Sequence, residues 1–207
     1  MCNLLPPAVA VSDLFDELQL RNLRQIYLDG TGFERDENGH LRSPFFSADI
    51  VSDGALTRVT FPADEDHNLK DELYLKAIRT TFGRIVELAP ILDLRPPKVI
   101  SGIYAFTGYD LHSDDERGHR WHTDFTAQPI VVRCGMVVQL TDATGVWTGG
   151  DFDLRYKSNS AEWRRFTHRA NQGIAFNNEQ LEHRVTPWTP VEKMPAIRKV
   201  LIFWLYW

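Results

Sequence analysis

Apolar positions recur at helical spacing in two places along the first ninety residues. Leu14, Phe15, Leu18, Leu23 and Ile26 form one stripe, which predicts a helix over 12–28, capped by Ser12 or Asp13 and ended by Gly30. Leu69, Leu73, Ile78, Phe82 and Ile85 form the other, predicting a helix over 68–88 that Pro90 stops. Between them, Asp36-Glu37-Asn38-Gly39 reads as a hairpin or loop tip and 55–61 as a short strand. After Pro97 the period shortens, and β runs are expected over 98–106, 130–141, 152–156, 173–177, 183–188 and 199–206. The last run is apolar on both faces: Val200, Ile202 and Trp204 on one, Leu201, Phe203 and Leu205 on the other. Such a strand belongs inside an assembly, covered on both sides. Two helices before several short strands predict a mainly β (α+β) chain, an antiparallel sandwich or barrel with helices against one sheet.

Composition narrows this further. A chain of 207 residues, 43% hydrophobic, is expected to be one domain over 1–207, with 1–95 mostly helical support and 96–207 the β half. At this length roughly 70% of the unfolded surface is buried on folding, so a metal is not needed to hold the fold. A net charge of -5 without a basic tract argues against nucleic-acid binding. Val200 to Trp207, the most apolar run, is far shorter than the ~20 residues of a membrane helix. Cys2 and Cys134 cannot form a disulfide framework, and the start lacks a basic region and carries Pro6 and Pro7, so a cytoplasmic protein without a signal peptide is expected.

Candidate chemistry concentrates in the β half. In an extended His122-Thr123-Asp124, residues i and i+2 point the same way, so imidazole and carboxylate face one point. His183 begins a later β run. Two imidazoles and a carboxylate on one face of a divalent ion leave three positions open, an arrangement suited to Fe(II) in an oxygenase. His112-Ser113-Asp114, followed by Asp115, Glu116 and His119, has the same form and competes on spacing alone.

Five ordered segments, covering about half the chain, resemble the Fe(II)/2-oxoglutarate-dependent dioxygenases, in particular the prolyl-4-hydroxylase-like branch. Trp121-His122-Thr123-Asp124 resembles the first metal motif, and Arg133 to Leu140 the strand after it. Trp147 to Leu154, with Gly149-Gly150, resembles that branch's W-x-G-G segment. Gly173 to Asn177 and Glu182 to Pro187 resemble the second metal motif and its preceding strand, and Arg198 the basic residue that holds the far carboxylate of 2-oxoglutarate. The resemblance implies a double-stranded β-helix (jelly-roll) core, metal ligands His122, Asp124 and His183, and His112 in a loop. It also implies that Arg198 and Tyr104 contact the co-substrate, with Lys199 and Arg133 as competitors for the role of Arg198. Two features depart from the family pattern: the step from His183 to Arg198 is long, and Val200 stands where many relatives carry a hydroxyl.

The activity implied is an oxidoreductase using Fe(II), 2-oxoglutarate and O2, releasing succinate and CO2 while hydroxylating a C–H bond of a small-molecule or amino-acid/peptidyl substrate. Cyclisation or desaturation of an amino acid or natural-product intermediate by the same iron is the alternative. Related halogenases lack the carboxylate, so Asp124 favours C–H oxidation over halogenation. Trp121, Phe125, Trp147 and Trp188 are candidates for a pocket or for the core, the latter being the commoner fate of dense aromatics. Cys134, in an apolar run, reads as a small buried hydrophobe.

Overall fold

The computed structural model describes residues 7–25, 34–35, 41–42, 46–50, 56–60, 68–95, 99–109, 120–124, 131–141, 147–167, 169–191 and 196–206. It has the expected mainly β architecture. Ala8–Val11 (β1) precedes the helix Glu17–Gln25 (α1); four short strands follow, Glu34–Arg35 (β2), Leu41–Arg42 (β3), Phe46–Ile50 (β4) and Leu56–Thr60 (β5). The helix Asn68–Leu88 (α2) leads to Val99–Tyr109 (β6), Cys134–Gln139 (β7), Trp147–Gly149 (β8), Phe152–Tyr156 (β9) and Asn159–Phe166 (β10). Gln172–Asn177 (β11), Leu181–Val185 (β12), Trp188–Pro190 (β13) and Ala196–Tyr206 (β14) complete the chain.

Helix α2 has the predicted bounds. Helix α1 starts later than its apolar stripe suggests, because the segment before it is tied to β11. The Leu14 N–H donates to the Asn171 carbonyl and the Phe15 N–H to Asn171 Oδ1, with Asp13 at φ 53°. Asp16 therefore takes the capping position assigned to Ser12 or Asp13, accepting the Gln19 N–H at 2.7 Å. Residues 1–95 also contribute strands, β1 to β5, all of which join the larger sheet. The loop tip at Asp36–Gly39 lies outside the described residues, although the flanking β2 and β3 pair antiparallel.

The larger sheet runs β1-β11-β7-β14-β6, with β3 and β4 along the far edge of β6; a smaller sheet runs β10-β9-β12, and β8 pairs with β13. Strand β14 lies between β6 and β7 and alternates as expected. Leu201, Phe203 and Leu205 pack with Leu23, Ile78, Phe82 and Ile85 in a core beneath the helices. Val200 faces the opposite way, joining Val137, Ile174 and Phe176 of the larger sheet with Phe152, Leu154, Leu181 and Val185 of the smaller. This second core is the jelly-roll interior.

Two strands differ from expectation for local reasons. The run over 183–188 divides at Thr186-Pro187: Thr186 exchanges bonds with Asp151 at 2.8 and 2.9 Å, and proline offers no N–H to continue the ladder. Strand β10, mostly exposed, carries no apolar alternation that would have announced it. Among the described residues, no helix is long and apolar enough to cross a membrane.

Candidate metal centre

The segment 120–124 meets the smaller sheet through one antiparallel bridge. The His122 N–H donates to the His183 carbonyl at 3.0 Å, and the His183 N–H to the His122 carbonyl at 2.9 Å. Directly opposed residues present their side chains on the same face, and the two imidazole centroids lie 4.1 Å apart. Alternation returns Asp124 to that face. Its Oδ1 is 3.8 Å from His122 Nε2 and its Oδ2 3.7 Å from His183 Nε2. Both separations exceed a hydrogen bond, while one donor atom from each residue lies within 4.8 Å of the others. The i, i+2 reading of His122 and Asp124 therefore matches the geometry, and His183 joins them.

The donor set suits a small divalent ion. His122 Nδ1 is 2.7 Å from the Arg120 carbonyl, an acceptor only, which assigns the ring proton to Nδ1 and leaves Nε2 with a lone pair toward the cluster. Two imidazole nitrogens and one carboxylate, all converging from one side, form the facial set that non-heme Fe(II) takes. Access is lopsided: the side chain of His183 is 6% exposed, of Asp124 13% and of His122 41%.

Aromatic packing fixes His183. Its ring stacks on Phe152 at 5.3 Å between centroids and touches Phe176 at 4.8 Å. The Phe176 ring occupies the space above Gly135, its register partner on β7, where any Cβ would come within 2.3 Å of Cζ. Across β7 on the other side Gly135 is the register partner of Trp204.

The outer face of the smaller sheet steadies the other motif. Asp153, fully buried, accepts two bonds from Arg165, at 2.8 and 3.0 Å, and one from Arg184 at 2.9 Å. Arg155 pairs with Glu182. The Trp121 ring sits among these groups, 4.3 Å from the Arg155 guanidinium and 4.7 Å from that of Arg184. Trp121 thus stands half-buried outside the hydrophobic core clusters. Trp147 and Trp188 do belong to the interior, edge to face at 5.6 Å beside the Gly149-Gly150 turn. Both glycines adopt positive φ, 78° and 73°, and a Cβ at Gly149 would lie 2.1 Å from the Pro187 oxygen.

The remaining expectations divide. Lys199 is buried on the helix side of β14, where its Nζ donates to the Arg24 carbonyl at 2.6 Å; burial, then the Arg24 charge, lowers its pKa. Arg133 forms an ion pair with Glu179. Cys134 is fully buried, as expected of a small hydrophobe. For Tyr104 and Arg198 only the backbone is described, opposite Leu201 and Thr107 respectively. Phe125 and the rival cluster from His112 to His119 lie outside the described residues. Sequence reading missed Asn178, Gly135 and the aromatic clamp on His183. An isolated glycine inside an apolar strand was the one signal available, since it marks close approach of a neighbour.

No family model and no characterised protein matches the sequence. Solved structures do match the fold. A prolyl-4-hydroxylase from Pseudomonas putida superposes with a TM-score of 0.63 at 12% identity, covering 97% of this chain and 92% of that one. A 2OG-Fe(II) oxygenase family oxidoreductase from Burkholderia pseudomallei gives 0.66 at 13% identity, with 96% and 85% covered. A prolyl hydroxylase from Trichoplax adhaerens, in complex with a hypoxia inducible factor peptide fragment, gives 0.56 at 12%, with 97% and 83% covered. The chain has the jelly-roll fold of the Fe(II)/2-oxoglutarate oxygenases, prolyl-4-hydroxylases among them.

Proposed function

We propose that this protein is an Fe(II)- and 2-oxoglutarate-dependent oxygenase that hydroxylates an unactivated C–H bond of a small-molecule or amino-acid/peptidyl substrate. The observation that carries the reading is the convergence of His122, Asp124 and His183 within 4.8 Å, at the bridge between segment 120–124 and β12 of this fold. Bound there, Fe(II) would couple decarboxylation of 2-oxoglutarate by O2 to C–H oxidation, yielding succinate, CO2 and an alcohol.

The chain's own groups set the conditions. His122 keeps its proton on Nδ1 through the Arg120 carbonyl, so Nε2 is ready to ligate. His183 enters from the buried side, against Phe152 and Phe176, which keep water from that flank. The exposed flank beside His122 is where a substrate would approach. Arg198 is assigned the far carboxylate of 2-oxoglutarate through a bidentate pair. Supporting this, position 198 alternates with the interior position Val200, whereas Lys199 is engaged at Arg24 and Arg133 at Glu179. Tyr104, on the strand beside β14, where its backbone pairs with Leu201, is assigned to the co-substrate together with Arg198. A peptide-like substrate accords with the peptide bound by the Trichoplax hydroxylase of like fold.

The test is anaerobic addition of Fe(II) and 2-oxoglutarate, followed by O2. A visible charge-transfer band and O2-dependent succinate are expected, both lost in His122→Ala and retained in His112→Ala. Arg198→Ala should raise the KM for 2-oxoglutarate at least about tenfold, the loss of a charge-assisted pair, and Lys199→Met should leave it unchanged. A gain of one oxygen in product mass marks hydroxylation; a loss of two hydrogens marks desaturation or cyclisation. No band and no succinate would refute the proposal.

A further inference from the structure

Asn178 follows β11 in the tight turn before β12, and its side chain is fully buried. Its Oδ1 accepts the Asp124 N–H at 3.2 Å, while its Nδ2 donates to the Asp124 carbonyl at 2.8 Å and to the Val132 carbonyl at 2.7 Å. The partners fix the orientation of the amide, because one N–H requires the oxygen and two carbonyls require the nitrogen. Both protons of the amide nitrogen are committed. The residue's own backbone is equally tied: its N–H donates to the Arg133 carbonyl at 2.8 Å, and its carbonyl accepts Lys157 Nζ at 2.8 Å.

We infer that Asn178 is the positioning residue for Asp124, a clasp that sets the carboxylate's angle to the two histidines. The inference rests on the metal-centre reading above. Its physical ground is that, among the described residues, the β-bridge fixes the segment at His122. Two residues further on, the direction of the Asp124 Cα–Cβ bond depends on the peptide groups either side of it. Asn178 grips both the N–H and the carbonyl of Asp124, as a ladder partner would. It also holds Val132, so both ends of the span from Asp124 to Val132 are pinned to one buried amide. The neighbouring Asn177 makes four side-chain bonds, one more than Asn178, but elsewhere: Nδ2 to the Leu92 and Asp93 carbonyls, Oδ1 to the N–H groups of Glu179 and Gln180. It is the matched control.

The experiment is titration with Co(II), followed by calorimetry, on the whole chain, with circular dichroism and thermal unfolding alongside. The native protein should bind one Co(II), and His183→Ala none. Asn178→Ala should keep the fold yet bind Co(II) about 10–100-fold more weakly, the usual effect of losing a group that orients a ligand. Asn177→Ala should lower Tm with affinity within about twofold of native. Should Asn178→Ala fail to fold, Asn178→Ser offers one hydroxyl in place of the amide, too short to hold both peptide groups of Asp124, and the same loss of affinity is expected. Native affinity in a folded Asn178 variant, or an equal loss in Asn177→Ala, overturns the positioning role and leaves the metal centre standing. A native chain that binds no Co(II) overturns both.

Discussion

Replacing Gly135 with alanine adds one methyl at the point where β7 meets the Phe176 ring. An ideal Cβ there would lie 2.3 Å from Cζ, 2.8 Å from Cε1 and 2.9 Å from Cε2. Carbon atoms rest at about 3.5–4.0 Å, so the ring must retreat by an ångström or more. Its retreat is blocked by the Phe152 ring at 5.4 Å and the His183 ring at 4.8 Å, both buried. Gly135 does not adopt a positive φ, so the cost is steric alone. Overpacking of this kind costs about 2–3 kcal/mol, which for a chain of this length lowers Tm by about 4–12 °C.

A steric cause has a specific remedy. Leucine at 176 lacks all three atoms that the new methyl would strike, and Phe176→Leu alone should cost about 1–2 kcal/mol through the cavity it leaves. Independent effects would sum to about 3–5 kcal/mol in the double variant. Relief of the clash predicts instead a loss no greater than that of Phe176→Leu, a coupling of about 2 kcal/mol. Urea unfolding of the four proteins measures this. Co(II) titration provides a second readout, since a displaced Phe176 presses on His183: affinity should fall in Gly135→Ala and recover in the double variant. Additivity within about 0.5 kcal/mol, or a Gly135→Ala protein as stable as native, would refute the reasoning.

Two further outcomes follow from single sites. Gly150→Ala should cost about 1–2 kcal/mol of left-handed backbone strain, since its nearest new contact is 3.4 Å away. Gly149→Ala adds a collision with the Pro187 oxygen at 2.1 Å and should cost at least twice as much; equal urea midpoints would count against the close approach. At Cys134, complete burial pushes the thiol from an ordinary 9.0 up to about 12. The protonated thiol therefore contributes stability fully present below pH 9, which is lost as pH climbs from 9 toward 12. Peptide-resolved alkylation at pH 8 should leave Cys134 unmodified in the folded protein and label it in denaturant, and labelling of the native state would contradict this.

The parts of this molecule that sequence made legible are those that repeat or that carry unusual chemistry. Helix α2 announced both ends because its stripe is long and Pro90 closes it. Strand β14 announced its double burial because both of its faces are apolar. The histidine and aspartate of segment 120–124 could be read because alternation alone aims them together. What stayed hidden depends on partners distant in the chain. The start of α1 depends on Asn171, about 156 residues away, which holds Phe15 out of the helix. Asn178 reads as an ordinary turn residue until Asp124, 54 residues earlier, is placed against it. Strand β10 is mostly polar and exposed, with Phe166 alone of its residues in the core, and owes its pairing to β9, through Arg165 and Asp153 among others.

Segment 120–124 works on both faces of the smaller sheet at once, and this bears on how so short a stretch keeps its register. A slip of one residue in an extended segment exchanges its inner and outer side chains. Here that would turn Trp121 toward the His122–Asp124–His183 cluster and His122 out among the arginines. The bridge to His183 offers two hydrogen bonds, which any neighbouring register could also form. Trp121 breaks that degeneracy. Its ring lies between the Arg155 and Arg184 guanidinium groups, each contact worth about 0.5–1 kcal/mol or more where water is partly excluded. Those arginines are themselves held, Arg155 by Glu182 and Arg184 by the buried Asp153. The alternative register would forfeit both contacts and press an indole against Phe152 and Phe176, in a core without room for it. The placement of the inner ligand is thus indexed by an aromatic contact on the outer face.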